Sequence, residues 1–171
     1  MFAAHFAAAL AIKTREPRAP VTALVVGAFV PDIIWVVLAV AGIEPAQKAT
    51  FFDDWSHSLC MVVLWAVLYA ACFAASRGWP VAIAAGAAVL SHFVLDFPIH
   101  PKPLGLFPFS RVRLSLGLSN VPALTYWYVQ LAVVLILLGV YAWQGARLRV
   151  PATSLTQSCA MVLALHLVML P

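Results

Sequence analysis

Residues 22–43 read TALVVGAFVPDIIWVVLAVAGI. The stretch holds one ionisable side chain, Asp32. It is longer than the roughly 20 residues that an α-helix needs to cross the hydrocarbon of a bilayer. Pro31 removes a backbone donor and disfavours helix at the residue before it, so a kink or a helix restart is expected at Pro31-Asp32. Three further apolar runs, at 58–76, 79–97 and 121–143, are of similar length. The Arg77-Gly78 pair leaves room only for a tight turn between two of them.

The composition agrees. Of 171 residues, 64% are hydrophobic and 9% charged, against about 25% charged in an ordinary soluble domain. Mean hydropathy is +0.99. A single core of this size cannot hide so much apolar surface, which excludes a water-soluble monomer and a disordered chain. The runs are continuous rather than alternating, which argues against a membrane β-barrel. The expected fold is all-α: one polytopic membrane helix bundle over 1–171, with about four long spans, a short N-terminal helix and an apolar C-terminal helix. The bilayer is the implied partner.

The segments between the spans are short or charged. Residues 1–12 lack a basic region before their apolar stretch, so a mature, partly inserted helix is expected rather than a cleaved signal. Residues 13–20 (KTREPRAP) form a charged break, 44–56 a polar loop ending in FFDDWS, and 144–150 a basic turn before the final apolar helix at 151–170. Residues 98–120 form a loop of a length uncommon without a function. Net charge is +4, carried at segment ends where it suits anionic headgroups. No Lys/Arg stripe with interleaved aromatics supports nucleic-acid binding. Cys60, Cys72 and Cys159 lie in apolar runs without a CxxC and read as packing residues. Trp127 and Trp143 are roughly 24 Å apart on a helix, which fits two aromatic belts. Lys13, Arg15, Arg18, Arg77, Arg147 and Arg149 face one side, and Lys48, Lys102, Arg111 and Arg113 the other. The bias places the first set in the cytoplasm. It also puts the His57 loop and the 98–120 loop together on the opposite face.

Ionisable residues in spans cost roughly 2.5–3.5 kcal/mol each at the centre. Asp32, His92 and Asp96 are such residues, and His57 begins a span. His92 and Asp96 are four apart and share a helix face. Imidazole nitrogen and carboxylate oxygen at that spacing can ligate one cation. Antiparallel neighbours joined by a tight turn bring His57 level with His92 and Asp96. His5 and Asp32 join them if the first segment and the Pro31 kink point inward, and His100 follows on the loop. Other readings stay open: His92 as an interhelical hydrogen-bonder, Asp32 as a helix cap or an arginine partner, or the whole set as a proton or ion pathway. Asp53 and Asp54 read as solvated loop residues, and His166 as an interfacial or packing residue.

MFAAHFAAALAIK from Met1, VPDIIW from Val30, DWSHSL from Asp54 and SHFVLDFPIHP from Ser91 occur in that order. Together, over residues 1–130, they resemble the bacterial membrane-bound metal-dependent hydrolases, some described as inner-membrane-associated hydrolases or permeases. That family is distantly similar to the zinc-dependent phospholipase C and single-strand nuclease superfamily. The resemblance implies His5, Asp32, His57, His92 and Asp96 as metal ligands, with His100 a further family histidine. SLGLSN from Ser115 resembles a GLGLWN-like segment, with Ser119 where tryptophan is common. Some relatives carry a glutamate near the position where this chain has Gln130. The donor set suits Zn²⁺, with Mn²⁺ or Fe²⁺ as alternatives. One metal would take Asp32, His57, His92 and Asp96. A second would share an aspartate and add His5, with His100 as a candidate. The expected activity is hydrolysis of an ester, in particular a phosphoester of an amphiphilic or lipid-linked substrate, through a metal-activated water. Asp54 or a cluster aspartate would take the proton, His100 would assist, and Lys102, Arg111 or Arg113 would hold a phosphate. The expected location is the bacterial cytoplasmic membrane, crossed several times. The rival readings are a transporter or ion pathway on the same cluster, and a structural protein stapled by a metal.

Overall fold

In the computed structural model, residues 1–45, 52–100 and 102–171 are described, Ser119 by its backbone alone. Lys48 and Phe51 of the expected polar loop, and Pro101, lie outside the described residues. Four helices are long and apolar enough to cross a membrane: α2 (Val21–Val40), α4 (Leu59–Arg77), α5 (Trp79–Asp96) and α6 (Ala123–Arg147). They accompany α1 (Phe2–Arg15), the single turn α3 (Asp54–His57) and the shorter apolar α7 (Ala152–Leu167). Residues such as Val37, Val67, Ile83, Val94 and Ile136 leave apolar side chains on the outside, the surface a bilayer would cover.

Of the kink or helix restart expected at Pro31, the restart does not occur: α2 runs through Pro31 as one helix. Neighbouring helices and small local adjustments accommodate the lost donor in a span. Gly27 and Ala28 bring α2 close to Ala85 and Ala88 of α5, as small residues do between membrane helices. Helices α4 and α5 form a hairpin turned at Gly78, whose φ of +81° is open to glycine at little cost.

The sequence left open how the N-terminal helix packs. The expected short N-terminal helix is present as α1, and it lies at the centre of the bundle, packed against α2, α5, α6 and α7. Ala3, Ala4, His5, Ala7, Ala8, Ala9, Leu10 and Thr14 are all buried. The helix passes Lys13, whose Nζ donates to the carbonyls of Pro17 and Ala19 at 2.6 and 2.8 Å and so carries the chain round to α2. At the same end Thr14 Oγ1 lies 2.6 Å from Gln144 Oε1. Gln144 is therefore a buried part of α6, which continues to Arg147 instead of ending in a basic turn at 144.

Two smaller expectations are corrected. Trp127 is turned into the protein, stacked on buried His166 with ring centroids 4.6 Å apart. Of Trp127 and Trp143, only Trp143 faces outward, under the Arg147 guanidinium. Cys60 and Cys72 are exposed, and all three cysteines are free. The 98–120 loop contains a short antiparallel ribbon, β1 (Leu104–Gly105) against β2 (Arg113–Leu114), pairing Leu104 with Leu114 and Gly105 with Arg113.

Candidate metal centre

His5 comes from the second turn of α1, Asp32 from the middle of α2, His57 from the end of α3, and His92 and Asp96 from the last turns of α5. His100 follows α5, tied by its backbone N–H to the Asp96 carbonyl. These five segments bring all the expected ligands to one place. His92 Nε2 lies 3.2 Å from Asp96 Oδ2 and 3.7 Å from Asp32 Oδ1. His57 Nε2 is 3.3 Å from the same Asp32 oxygen, and His5 Nε2 is 3.5 Å from Asp96 Oδ1. Three overlapping groups each offer ligand atoms within 4.8 Å of one another: His5, His92 and Asp96; Asp32, His57 and His92; His57, Asp96 and His100. His5 and His92 stack with centroids 4.1 Å apart. The histidines are buried, whereas the Asp32 side chain is 44% exposed, so the cluster opens on that side. The Met1 amino nitrogen also reaches Asp96 Oδ1, at 3.1 Å.

The hydrogen bonds on the far side of the rings decide which nitrogens face inward. His92 Nδ1 is 2.8 Å from the Ala28 carbonyl, and His100 Nδ1 is 2.8 Å from the Lys102 carbonyl. A carbonyl only accepts, so both Nδ1 atoms carry hydrogen and in the neutral rings both Nε2 atoms are bare. His92 Nε2 is buried without a hydrogen-bond partner. A bare nitrogen facing a carboxylate sets lone pair against lone pair. A cation between them resolves the repulsion, or a proton on the ring. Protonating the rings together would crowd buried positive charges only 4–5.5 Å apart, which like-charge repulsion disfavours.

Asp53 and Asp54 are both buried rather than solvated, and they face opposite ways. Asp53 Oδ2 is 3.5 Å from His100 Nε2. Burial pushes the Asp53 carboxyl up and the His100 imidazole down, each toward its neutral form. Asp54 instead accepts from the Arg113 guanidinium through both of its oxygens, and Oδ2 also accepts from Phe109 N–H at 2.9 Å. A Cβ on Gly105 would come within 3.1 Å of both Asp54 Oδ1 and Arg113 Nη1, so a side chain there would press on this pair. Phe109 stacks on Phe52 and meets Trp55 edge-on. A cavity of about 290 Å³ lies on the Asp53 side of the Asp53–His100 pair, lined by Phe52, Asp53, Asp54, Lys102, Pro103 and Arg113. Arg111 is exposed. Gln130 sits half-buried on α6. The same-face expectation for the His57 and 98–120 loops is met by these contacts.

A family profile described as YdjM inner membrane protein matches residues 1–170. The chain belongs to the YdjM inner membrane protein family. No curated protein and no solved structure matches it. Family and spans together make this YdjM-family chain a multi-pass inner membrane protein.

Sequence reading missed two carboxylates in the YdjM-family site. Asp53 looks like its neighbour in a polar loop. Glu44, fully buried, accepts from Trp55 N–H at 2.6 Å, Ser56 N–H at 3.1 Å and Ser56 Oγ at 2.6 Å. Burial pushes its carboxyl up, and these donors oppose the shift. No local motif marks Glu44; its partners are more than ten positions away.

Proposed function

We propose that this YdjM-family protein is a membrane-bound metal-dependent hydrolase acting on phosphoesters of amphiphilic or lipid-linked substrates. The observation that carries the reading is the bare His92 Nε2 turned onto the Asp96 and Asp32 carboxylates, with Nδ1 of the same ring held by the Ala28 carbonyl. Asp32, His57, His92 and Asp96 are the residues that would hold a divalent cation, with His5 and His100 beside them as further donors. Mixed imidazole and carboxylate ligation suits Zn²⁺, with Mn²⁺ or Fe²⁺ as alternatives. Such a cation supplies a more acidic water and neutralises charge on the phosphoryl oxygens. The resemblance to membrane-bound metal-dependent hydrolases, and more distantly to the zinc-dependent phospholipase C and nuclease superfamily, supports the same chemistry.

The remaining steps belong to the chain. Lys102 and Arg113 border the cavity beside Asp53 and present positive charge to a phosphate, with Arg111 further out on the ribbon. Water oxygen bonds to phosphorus, the ester P–O bond breaks, and the alcohol departs. The Asp53–His100 pair takes the water's proton and returns it to the departing alkoxide. Asp53 suits this role better than Asp54, whose oxygens are occupied by Arg113 and Phe109, so Asp54 positions the ribbon instead. The open flank at Asp32 gives a bilayer substrate a way in.

Elemental mass spectrometry of the untagged protein in detergent tests the reading, beside the His92→Ala/Asp96→Asn double variant. Stoichiometric Zn²⁺ or Mn²⁺ in the parent and its loss in the variant are expected, with hydrolysis of a phosphoester lipid in mixed micelles lost in parallel. No stoichiometric metal, even after reconstitution, overturns the proposal and leaves the cluster as a proton path. Metal or proton flux into liposomes without ester turnover overturns it in favour of a transporter.

A further inference from the structure

His92 and His100 each give Nδ1–H to a main-chain carbonyl, but His57 has no carbonyl in that place. Its Nδ1 lies 2.7 Å from Ser56 Oγ. A hydroxyl can donate or accept, so serine alone does not decide which nitrogen of His57 holds the hydrogen. Ser56 Oγ is also 2.6 Å from Glu44 Oε2, while Glu44 Oε1 is filled by the backbone N–H groups of Trp55 and Ser56. An ionised carboxylate only accepts. Ser56 therefore spends its single hydrogen on Glu44 and takes one from His57 Nδ1, which leaves Nε2 bare, 3.3 Å from Asp32 Oδ1. The weaker contact of Ser56 Oγ with the Asp53 carbonyl, at 3.0 Å, competes for that hydrogen with a neutral acceptor against a charged one.

We infer that Glu44 is a positioning residue of the centre: acting through Ser56, it fixes the His57 tautomer so that Nε2 is the nitrogen offered to a cation. The cation's part rests on the metal reading above; the hydrogen-bond relay does not. Glu44→Gln keeps shape while reversing sense. The amide oxygen can keep the two backbone donors, and the amide NH₂ then donates to Ser56 Oγ. Ser56 turns its hydrogen onto Nδ1, and the His57 proton moves to Nε2, where it blocks ligation.

The experiment uses the full chain in detergent, ¹⁵N-labelled at histidine, stripped by chelator and held at mildly alkaline pH. Long-range ¹H–¹⁵N spectra, with His57 assigned by its loss in His57→Gln, report the tautomer. Zn²⁺ titration against a competing chromophoric chelator reports affinity on the same samples. The expected result is an Nδ1–H form of His57 in the parent and an Nε2–H form in Glu44→Gln, with Zn²⁺ bound about 10- to 100-fold more weakly. Ser56→Ala is the second variant, for use if Glu44→Gln does not fold; it should weaken Zn²⁺ similarly and release His57 from a single tautomer. A parent His57 already protonated at Nε2, or a tautomer and affinity unmoved in both variants, overturns the role of Glu44. A parent with the expected tautomer and the expected switch, but no Zn²⁺ binding, overturns the metal reading and leaves the relay standing.

Discussion

Two adjacent aspartates with opposite partners divide the work of the loops. Asp53 faces His100 across 3.5 Å, while Asp54 is tied to Arg113 and the ribbon. Removing the guanidinium leaves a buried carboxylate with one backbone donor. A charged hydrogen bond of this kind contributes roughly 1.5–3 kcal/mol. The Arg113 side chain is 40% exposed, so solvent screening puts Arg113→Gln at the low end, about 1–2 kcal/mol of destabilisation. The measurement is thermal unfolding in detergent, with metal content read on the same sample. Unfolding at lower temperature with metal retained is expected, because Asp54 contributes no ligand atom to the cluster. Loss of metal would show that the ribbon holds the cluster together. The phosphate role of Arg113 would then need to be read from turnover in a variant that keeps its metal.

At the scale of elements, α1 matters more than its length suggests. It carries His5, and its alanines let neighbouring helices approach on several sides. Ala7 is fully buried. Ala7→Leu should overpack this site by about 1–3 kcal/mol and loosen metal binding, since His5 is half a turn away. Val67→Leu, on the outward face of α4, should change neither. Thermal unfolding and metal retention compare the two; an Ala7→Leu protein as stable as the Val67→Leu one would deny α1 its central place. The long spans were legible because crossing hydrocarbon demands about 20 apolar residues, a signal that needs no tertiary context. The cluster was legible because His92 and Asp96 share a helix face, and because the turn at Gly78 fixes the level of His57. The centrality of α1 was not, since an alanine-rich helix of 14 residues reads the same whether packed or peripheral. Strands of two residues carry no period to detect. Glu44 and Asp53 resemble any loop carboxylate until the fold supplies Ser56 and His100.

For the whole molecule, the polar groups sort to two ends. Arg18 and Arg77 border one surface recess and Arg15 and Arg147 another, and Lys13 lies near Leu148 and Val150. All belong to the end of the bundle where α1 and α6 finish and the α4–α5 turn lies. Glu44, Asp53, His100, Lys102 and Arg113 belong to the opposite end, with the metal cluster beneath them. Cytoplasmic loops carry the excess of Lys and Arg, which predicts that the first end is cytoplasmic and that the cluster opens toward the periplasmic leaflet. The prediction is tested in intact cells with Cys60, Cys72 and Cys159 replaced by serine and one cysteine restored at an exposed position. Arg111→Cys should react with a membrane-impermeant maleimide before lysis, and Leu148→Cys only after it. The reverse pattern would keep the fold and the cluster but turn the proposed hydrolase toward cytoplasmic substrates. Because the bias is only six basic residues to four over the whole sequence, moving two charges should be enough to probe it. Replacing Arg147 and Arg149 with glutamine while adding lysines at exposed Leu116 and Phe107 turns the count to four against six and should invert the labelling pattern at the two reporter positions.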